Sequence, residues 1–205
     1  MYFNRRTIRL ENFDYSNNGY YFVTICAQNR KNIFGEIVGA RRDSPLIDNK
    51  LSLINKNNNL SKMKLNSNGK IIKFVWKTLP DHYDVILDEF CIMPNHIHFI
   101  LGIKNNLNEN NNGVLENNNG VLENNTKGAS RRAPTRLGFV IGMFKTECAK
   151  RINKLNETLG IQIFQRNYYE HIIRNEKEYL RTKKYIKLNP EMWYRDRNNF
   201  NKTLP

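Results

Sequence analysis

The sequence predicts an α+β fold in which an antiparallel β-sheet carries helices on one face. Segments rich in β-branched and aromatic residues alternate along the chain with segments of helical periodicity. Their order is strand, helix, strand, strand, helix, strand, helix, which is the split βαβ arrangement. The 205 residues, of which 40% are hydrophobic, suffice for one sizeable core rather than two.

The first strand and the first helix are predicted from residue type and from capping. Residues 20–28, YYFVTICAQ, are dominated by β-branched and aromatic side chains, which is typical of a buried strand. Asn66 or Ser67 can cap a helix that runs to Leu79 and ends there, because Pro80 cannot continue it.

Two adjacent strands and a second helix follow. Residues 85–92 and 97–103 predict strands that are joined through a short Met-Pro-Asn connection. Thr135 can cap a long helix whose apolar residues recur at helical spacing.

The last two elements are a strand at 168–174 and a helix at 176–189. The helix has acidic residues in its first turn and Pro190 just beyond its end, as expected from the helix dipole and from the geometry of proline. The complete order predicts a ferredoxin- or RRM-like sheet with helices behind it and one face free. Such a sheet is a common platform for single-stranded nucleic acid.

Two stretches are unlike a packed core, so we expect one domain, 1–205, that carries insertions. Residues 39–62 include an asparagine cluster, and residues 105–130 form an Asn-rich linker. The linker contains two tandem copies of ENNNGVL, at Glu109–Leu115 and Glu116–Leu122. Asparagine and glycine are unfavourable inside helices, so a polar, flexible linker is the better prediction.

The charge of the chain indicates a polyanionic partner. The net charge is +14 and the sequence pI is about 9.8. The excess is concentrated in residues 126–189, which carry 15 Lys and Arg against 5 Asp and Glu. Many proteins that bind no nucleic acid are also basic. The net charge therefore does not identify the function by itself, and the candidate site residues are needed to do so.

Cysteine usage and hydropathy point to a cytoplasmic protein. The three cysteines are scattered and never occur as Cys-x-x-Cys, which indicates reduced thiols rather than disulfides or a structural zinc site. The apolar runs are much shorter than the roughly 20 residues that a membrane span needs. The first residues lack the apolar centre of a secretion signal.

His96-Ile97-His98 is the most informative local pattern. Alternate side chains on a strand share a face, so both imidazoles project together while Ile97 faces the core. On an exposed sheet face, this pair is well placed to hold a divalent cation, although two surface histidines would give the same pattern.

Tyr185 and Asn189 supply a second pair of candidate residues on the final helix. They lie four residues apart in YIKLN and therefore share one helix face. Asn189 offers a carbonyl oxygen, which is a suitable ligand for Mg²⁺ or Mn²⁺. Tyr185 offers a phenol that could attack a phosphodiester, although an aromatic residue on an amphipathic helix more often serves packing.

MPNHIHFIL, FQRNYYEHIIRNEKEYL and KYIKLNPEMW together resemble the single-tyrosine HUH transposases. The closest likeness is to the REP-associated tyrosine transposases, and it spans about residues 20–193 without the two insertions. The resemblance implies that His96 and His98 bind a divalent metal and that Asn189 completes this metal site. It also implies that Tyr185 is the nucleophile of a metal-dependent endonuclease and strand transferase. Members of the family cleave single-stranded DNA beside a hairpin, through a covalent phosphotyrosine link.

Basic and aromatic residues near these motifs are candidates for DNA contacts. The basic candidates for the DNA backbone are Arg131, Arg132, Arg136, Lys145, Arg166 and Lys184. Tyr168 and Tyr169 are either stacking platforms for bases or sheet core. Because neighbours on a strand face opposite ways, at least one of the two should be core.

Two other functions compete with the nuclease. An RRM-like module that binds single strands without cutting them would leave Tyr185 without a role and would place stacking aromatics, not histidines, on the central strand. A zinc hydrolase would need further His, Cys or acidic ligands near the His-x-His pair. A homodimer whose last helix serves the partner's site is as compatible with the sequence as a monomer.

Overall fold

Four antiparallel strands form the central sheet of the computed structural model, which describes residues 19–39, 61–104 and 136–199. The strands are β1 (Gly19–Cys26), β4 (Val85–Ile92), β5 (His96–Ile103) and β6 (Tyr169–Ile173), in the spatial order β4-β5-β1-β6. This order confirms the predicted α+β fold with a split βαβ sheet. The register pairs Thr24 with His98 and Tyr169, so these three residues share one face.

Helices α1 (Ser67–Thr78) and α2 (Arg136–Leu155) pack on one face of the sheet. Asn66 caps α1 as predicted, because its side chain accepts a hydrogen bond from the backbone nitrogen of Gly69 at 3.0 Å. The predicted cap of α2, Thr135, lies outside the described residues.

The core between these helices and the sheet is strongly aromatic. The ring of Trp76 on α1 stacks on Phe90 at 4.8 Å and lies 4.7 Å from Phe99. Phe144 of α2 meets Phe99 edge to face at 6.1 Å. Each such pair adds about 0.5–1.5 kcal/mol to the stabilisation that area burial gives. The sheet face that carries Ile97 and Phe99 is therefore fixed as the interior face.

The predicted insertion at 39–62 is bracketed by two short strands that the sequence analysis does not predict. β2 (Gly35–Val38) pairs with β3 (Lys62–Leu65) in a separate two-stranded sheet. Residues 40–60 and the whole predicted linker, 105–130, lie outside the described residues.

The expectation of a free second sheet face is wrong. Helix α3 (Glu176–Leu188) lies across that face instead of joining the other two helices. Ile186 is fully buried there against Cys91, Met93 and Ile100. The free energy gained by burying these apolar groups explains why the helix covers this face.

Polar contacts hold α3 along the sheet because the helix is mostly hydrophilic. Asp88 on β4 accepts hydrogen bonds from the Tyr179 hydroxyl and, at 2.7 Å, from Lys183 Nζ. On the opposite side, Glu178 pairs with His171 of β6 at 2.5 Å. Contacts to both outer strands set the direction of the helix. No helix of the described residues is both long and apolar enough to cross a membrane.

Candidate metal and nucleophile site

His96 and His98 lie on β5 and project to the face that α3 covers. Their alternation and the inward direction of Ile97 agree with the predicted strand. Their exposure differs from the expectation, because only 0% of His96 and 2% of His98 is accessible. The Trp193 ring lies 5.9 Å from that of His96, and the Tyr185 ring lies 5.4 Å from that of His98. The histidines are buried because α3 and the segment after it fold over them.

The hydrogen bonds of Asn95 determine which ring nitrogen of His96 carries the proton. The Asn95 amide nitrogen donates to the backbone oxygens of Arg30 at 3.0 Å and Asn198 at 2.8 Å. Its Oδ1 therefore accepts from Nδ1 of His96, at 2.8 Å. A neutral His96 with its proton on Nδ1 presents a lone pair at Nε2, which is the form that binds a metal.

Thr24 on the neighbouring strand β1 is the hydrogen-bond partner of the His98 ring, as Asn95 is for His96. The Thr24 hydroxyl lies 2.8 Å from Nδ1 of His98. The Thr24 hydroxyl can accept a hydrogen bond from Nδ1 of His98. It is therefore compatible with the His98 tautomer whose Nε2 lone pair is free for a metal. The Nε2 atoms of His96 and His98 lie 3.0 Å apart, so both could ligate the same metal ion.

Burial keeps both imidazoles neutral at pH 7. Desolvation lowers the pKa of His96 to about 4, although the nearby Asp196 carboxylate opposes this shift. Desolvation, helped by the adjacent His96, holds the pKa of His98 well below its usual value. Neutral imidazoles are the form in which histidine ligates metals, so no proton has to leave at neutral pH.

Asp196 joins the two histidines and was missed by the sequence analysis. Its Oδ2 lies 3.5 Å from Nε2 of His96, and one ligand atom from each of the three residues falls within 4.8 Å of the others. These three residues could therefore hold a metal ion. The signal in the sequence is faint: an acid between two arginines in Arg195-Asp196-Arg197, beyond the last predicted helix.

The segment that carries Asp196 is tied to the beginning of β5. The backbone nitrogen of Asn198 donates to Oδ1 of Asp196 at 2.7 Å. Asn198 is itself buried, and its side chain accepts from Arg30 while its backbone oxygen accepts from Asn95. This bonding fixes the position of the carboxylate relative to His96.

Tyr185 reaches the histidines of its own chain. Its hydroxyl oxygen lies 3.4 Å from Nε2 of His98, and its ring stands edge to face with Phe22 at 5.9 Å. The Tyr185 residue remains 49% exposed, so solvent and a ligand can reach part of its ring. The structure thus brings together three of the predicted residues, His96, His98 and Tyr185, within one chain.

Asn189 caps the end of α3, one turn beyond Tyr185. It is buried, and its amide nitrogen donates to the backbone oxygen of Tyr185 at 3.2 Å. This bond leaves Oδ1 as the side-chain atom with ligand character. The predicted role of Asn189 as a metal ligand stays a prediction.

The predicted DNA-contacting cations occupy different environments. Arg131 and Arg132 lie outside the described residues. Arg136 pairs with Asp84 at 2.8 Å, and Lys145 donates to the backbone oxygens of Gln165 and Arg166. Burial lowers the pKa of Lys145. Arg166 and Lys184 are exposed.

Thr24→Val is expected to weaken metal binding without unfolding the protein. Valine has nearly the shape of threonine but leaves Nδ1 of His98 without its hydroxyl partner. Loss of such an outer partner typically lowers metal affinity about 10–100-fold. Calorimetric titration with Mn²⁺ measures the change, and Thr24→Ser, which retains a hydroxyl, should stay close to the unmodified protein. Equal affinity in the valine and serine variants would contradict this role.

No protein-family profile matches the chain. A protein from Haemophilus influenzae strain Rd, described as uncharacterized, is 34% identical over 193 residues, covering 94% of this chain and 91% of that protein. A REP-associated tyrosine transposase bound to a REP hairpin is structurally similar at 14% identity and a TM-score of 0.44, over 89% of this chain and 73% of that one.

A second similar structure is a Deinococcus radiodurans R1 protein provisionally described as a transposase. Its sequence identity is 11% and its TM-score is 0.38, over 87% of this chain and 96% of that one.

Proposed function

We propose that this chain, which belongs to one protein family with the Haemophilus influenzae protein, is a metal-dependent single-stranded DNA endonuclease and strand transferase of the single-tyrosine type. One observation carries the proposal: the Tyr185 hydroxyl lies 3.4 Å from Nε2 of His98, beside a group of two imidazoles and a carboxylate. A nucleophile and a set of metal ligands at this separation are what phosphodiester transfer to tyrosine requires.

The donor set fits a divalent cation. His96 and His98 would supply two neutral nitrogens, Asp196 a carboxylate oxygen, and Asn189 a further oxygen from its amide. When bound, such a cation polarises the scissile phosphate and neutralises charge on the leaving oxygen. Imidazole ligands favour Mn²⁺ over Mg²⁺, so we propose Mn²⁺ as the tighter-binding of the two.

Tyr185 would attack the scissile phosphorus and form an ester between its phenolic oxygen and the 5′ phosphate. The bond to the 3′ oxygen breaks, this oxygen takes up a proton, and the phenolic proton passes to water, which reaches the half-exposed side chain. The ester conserves the energy of the phosphodiester bond. A DNA 3′-hydroxyl can therefore reverse the step and rejoin the strand.

The described chain contains both halves of this site, so we propose that it acts in cis and that a homodimer is not required for cleavage. A hairpin-containing single strand is the proposed substrate, as the sequence motifs indicate, and the cytoplasm is the proposed location. Non-cleaving binding by an RRM-like module is less well supported, because α3 covers the sheet face that such a module would offer to RNA or DNA.

Detection of a covalent adduct tests the proposal. Purified protein would be incubated with labelled single-stranded hairpin DNA from the flanks of its own gene, with Mn²⁺ or Mg²⁺, and separated on a denaturing gel. A labelled band at the combined mass of protein and DNA is expected with metal, and its loss is expected with EDTA. Tight binding of several hairpins without any adduct would favour the binding module instead.

A further inference from the structure

Three aromatic side chains form a continuous surface beside the nucleophile. Phe22, Tyr169 and Tyr185 make up this surface, which we term the aromatic surface. Phe22 lies in the middle, with its ring centre 6.2 Å from that of Tyr169 and 5.9 Å from that of Tyr185. Both tyrosine rings stand at large angles to Phe22, 66° and 84° respectively.

The Tyr169 side chain is not part of the hydrophobic core. Its neighbour Tyr168 packs against the core beneath α1 and α2, and Glu170 on the other side of Tyr169 is buried. Tyr169 projects to the opposite face and is 38% exposed on β6, which forms one edge of the sheet. The sequence left open which tyrosine is core, and the packing of Tyr168 against the core cluster assigns it to that role.

The aromatic surface is coupled to the proposed catalytic group through Phe22. The Phe22 ring stacks on that of His98 at 5.4 Å, with 27° between their planes. The strand register also places Tyr169 beside Thr24, whose hydroxyl is the hydrogen-bond partner of His98. A flat ligand on Tyr169 would therefore lie next to the phosphate that Tyr185 attacks.

Charge and shape indicate that this ligand is an unpaired nucleobase. Exposed cations lie close in sequence to both tyrosines: Arg166 precedes Tyr169 by three residues, and Lys184 directly precedes Tyr185. Exposed aromatic rings beside basic side chains are the combination that binds single strands by stacking. A paired base buries its faces in the duplex, so only an unpaired base can offer a face to Tyr169.

We propose that Tyr169, supported by Phe22, stacks the base adjacent to the scissile phosphate of single-stranded DNA. This inference rests on the proposed function and extends it by naming a residue that binds the substrate. Stacking holds the sugar-phosphate backbone of that nucleotide against the site, so it places the scissile phosphorus within reach of Tyr185.

Fluorescence of 2-aminopurine tests the proposal independently of cleavage. Tyr185→Phe protein would be mixed with single strands that carry 2-aminopurine at successive positions around the scissile phosphate. Quenching is expected at one position next to that phosphate and should disappear in Tyr169→Ala/Tyr185→Phe. Loss of one stacked base should also weaken binding about 5- to 150-fold. Tyr169→Trp/Tyr185→Phe, which retains a stacking ring, should restore both signals.

Phe74→Ala provides a matched control, since Phe74 is an aromatic residue of α1 that is 53% exposed and lies away from this face. Its removal should change neither quenching nor affinity. Quenching that persists in Tyr169→Ala/Tyr185→Phe would overturn the stacking role while leaving the nuclease proposal intact. Absence of any single-strand binding by both the unmodified protein and the Tyr185→Phe protein would overturn both.

Discussion

Tyr185→Phe is expected to abolish the covalent protein–DNA adduct while the protein still folds and binds DNA. Phenylalanine keeps the ring that packs edge to face with Phe22 and removes only the hydroxyl that lies 3.4 Å from His98. Without that oxygen no ester with phosphate can form. Loss of a nucleophile typically lowers turnover by several orders of magnitude, here by at least about 10³-fold.

A denaturing gel and a binding titration, performed on the same preparation, measure this result. The control is Tyr194→Phe, which removes a tyrosine hydroxyl from the segment beyond α3 and should retain the adduct. If Tyr185→Phe formed adduct at the unmodified rate, another nucleophile would be responsible. If it lost DNA binding and thermal stability together, the hydroxyl would have a structural role instead.

Asp196→Asn is expected to have the second large effect, on metal affinity. Asparagine preserves the shape of the side chain and the acceptor for the Asn198 backbone nitrogen, but removes the negative charge beside His96. Loss of an outer partner alone costs about 10–100-fold in metal affinity, so loss of a direct carboxylate ligand should cost at least as much. Calorimetric titration with Mn²⁺ gives the dissociation constant directly.

Two further variants test whether the loss of metal affinity is specific to Asp196. Glu147→Gln removes an exposed acid of α2 that pairs with Arg151, and it should leave Mn²⁺ binding unchanged. Asn189→Ala tests the ligand that the sequence motifs indicate. A full effect of Asn189→Ala, with none of Asp196→Asn, would show that metal binding does not need the negative charge of Asp196 and does need the Asn189 amide.

Local elements of the fold could be predicted because their signals are local. The Asn66 cap and Pro80 determine where α1 begins and ends, and the alternation around Ile97 determines which side of β5 faces the core. The position of α3 could not be predicted in this way. It depends on Ile186 meeting Cys91 and Ile100, which are far away in sequence.

The residues of the candidate site also fall into two groups: those that a local sequence pattern predicts, and those that depend on contacts between distant parts of the chain. The pairs His96 and His98, and Tyr185 and Asn189, follow from strand and helix periodicity. Asp196 follows from neither, because an irregular segment carries it to β5 through the bonds of Asn198. The burial of the histidines was also missed, because α3 was expected to leave their face open.

Identification of the modified residue tests the central claim most directly. The metal-dependent adduct would be digested with nuclease and then with trypsin, and the peptides would be sequenced by tandem mass spectrometry. We expect the mass of a 5′-phosphorylated nucleotide on Tyr185, in a peptide that Lys184 and Lys187 delimit. A nucleotide on any other residue, or none on the protein while the DNA is cut, would contradict the assignment of Tyr185 as the nucleophile.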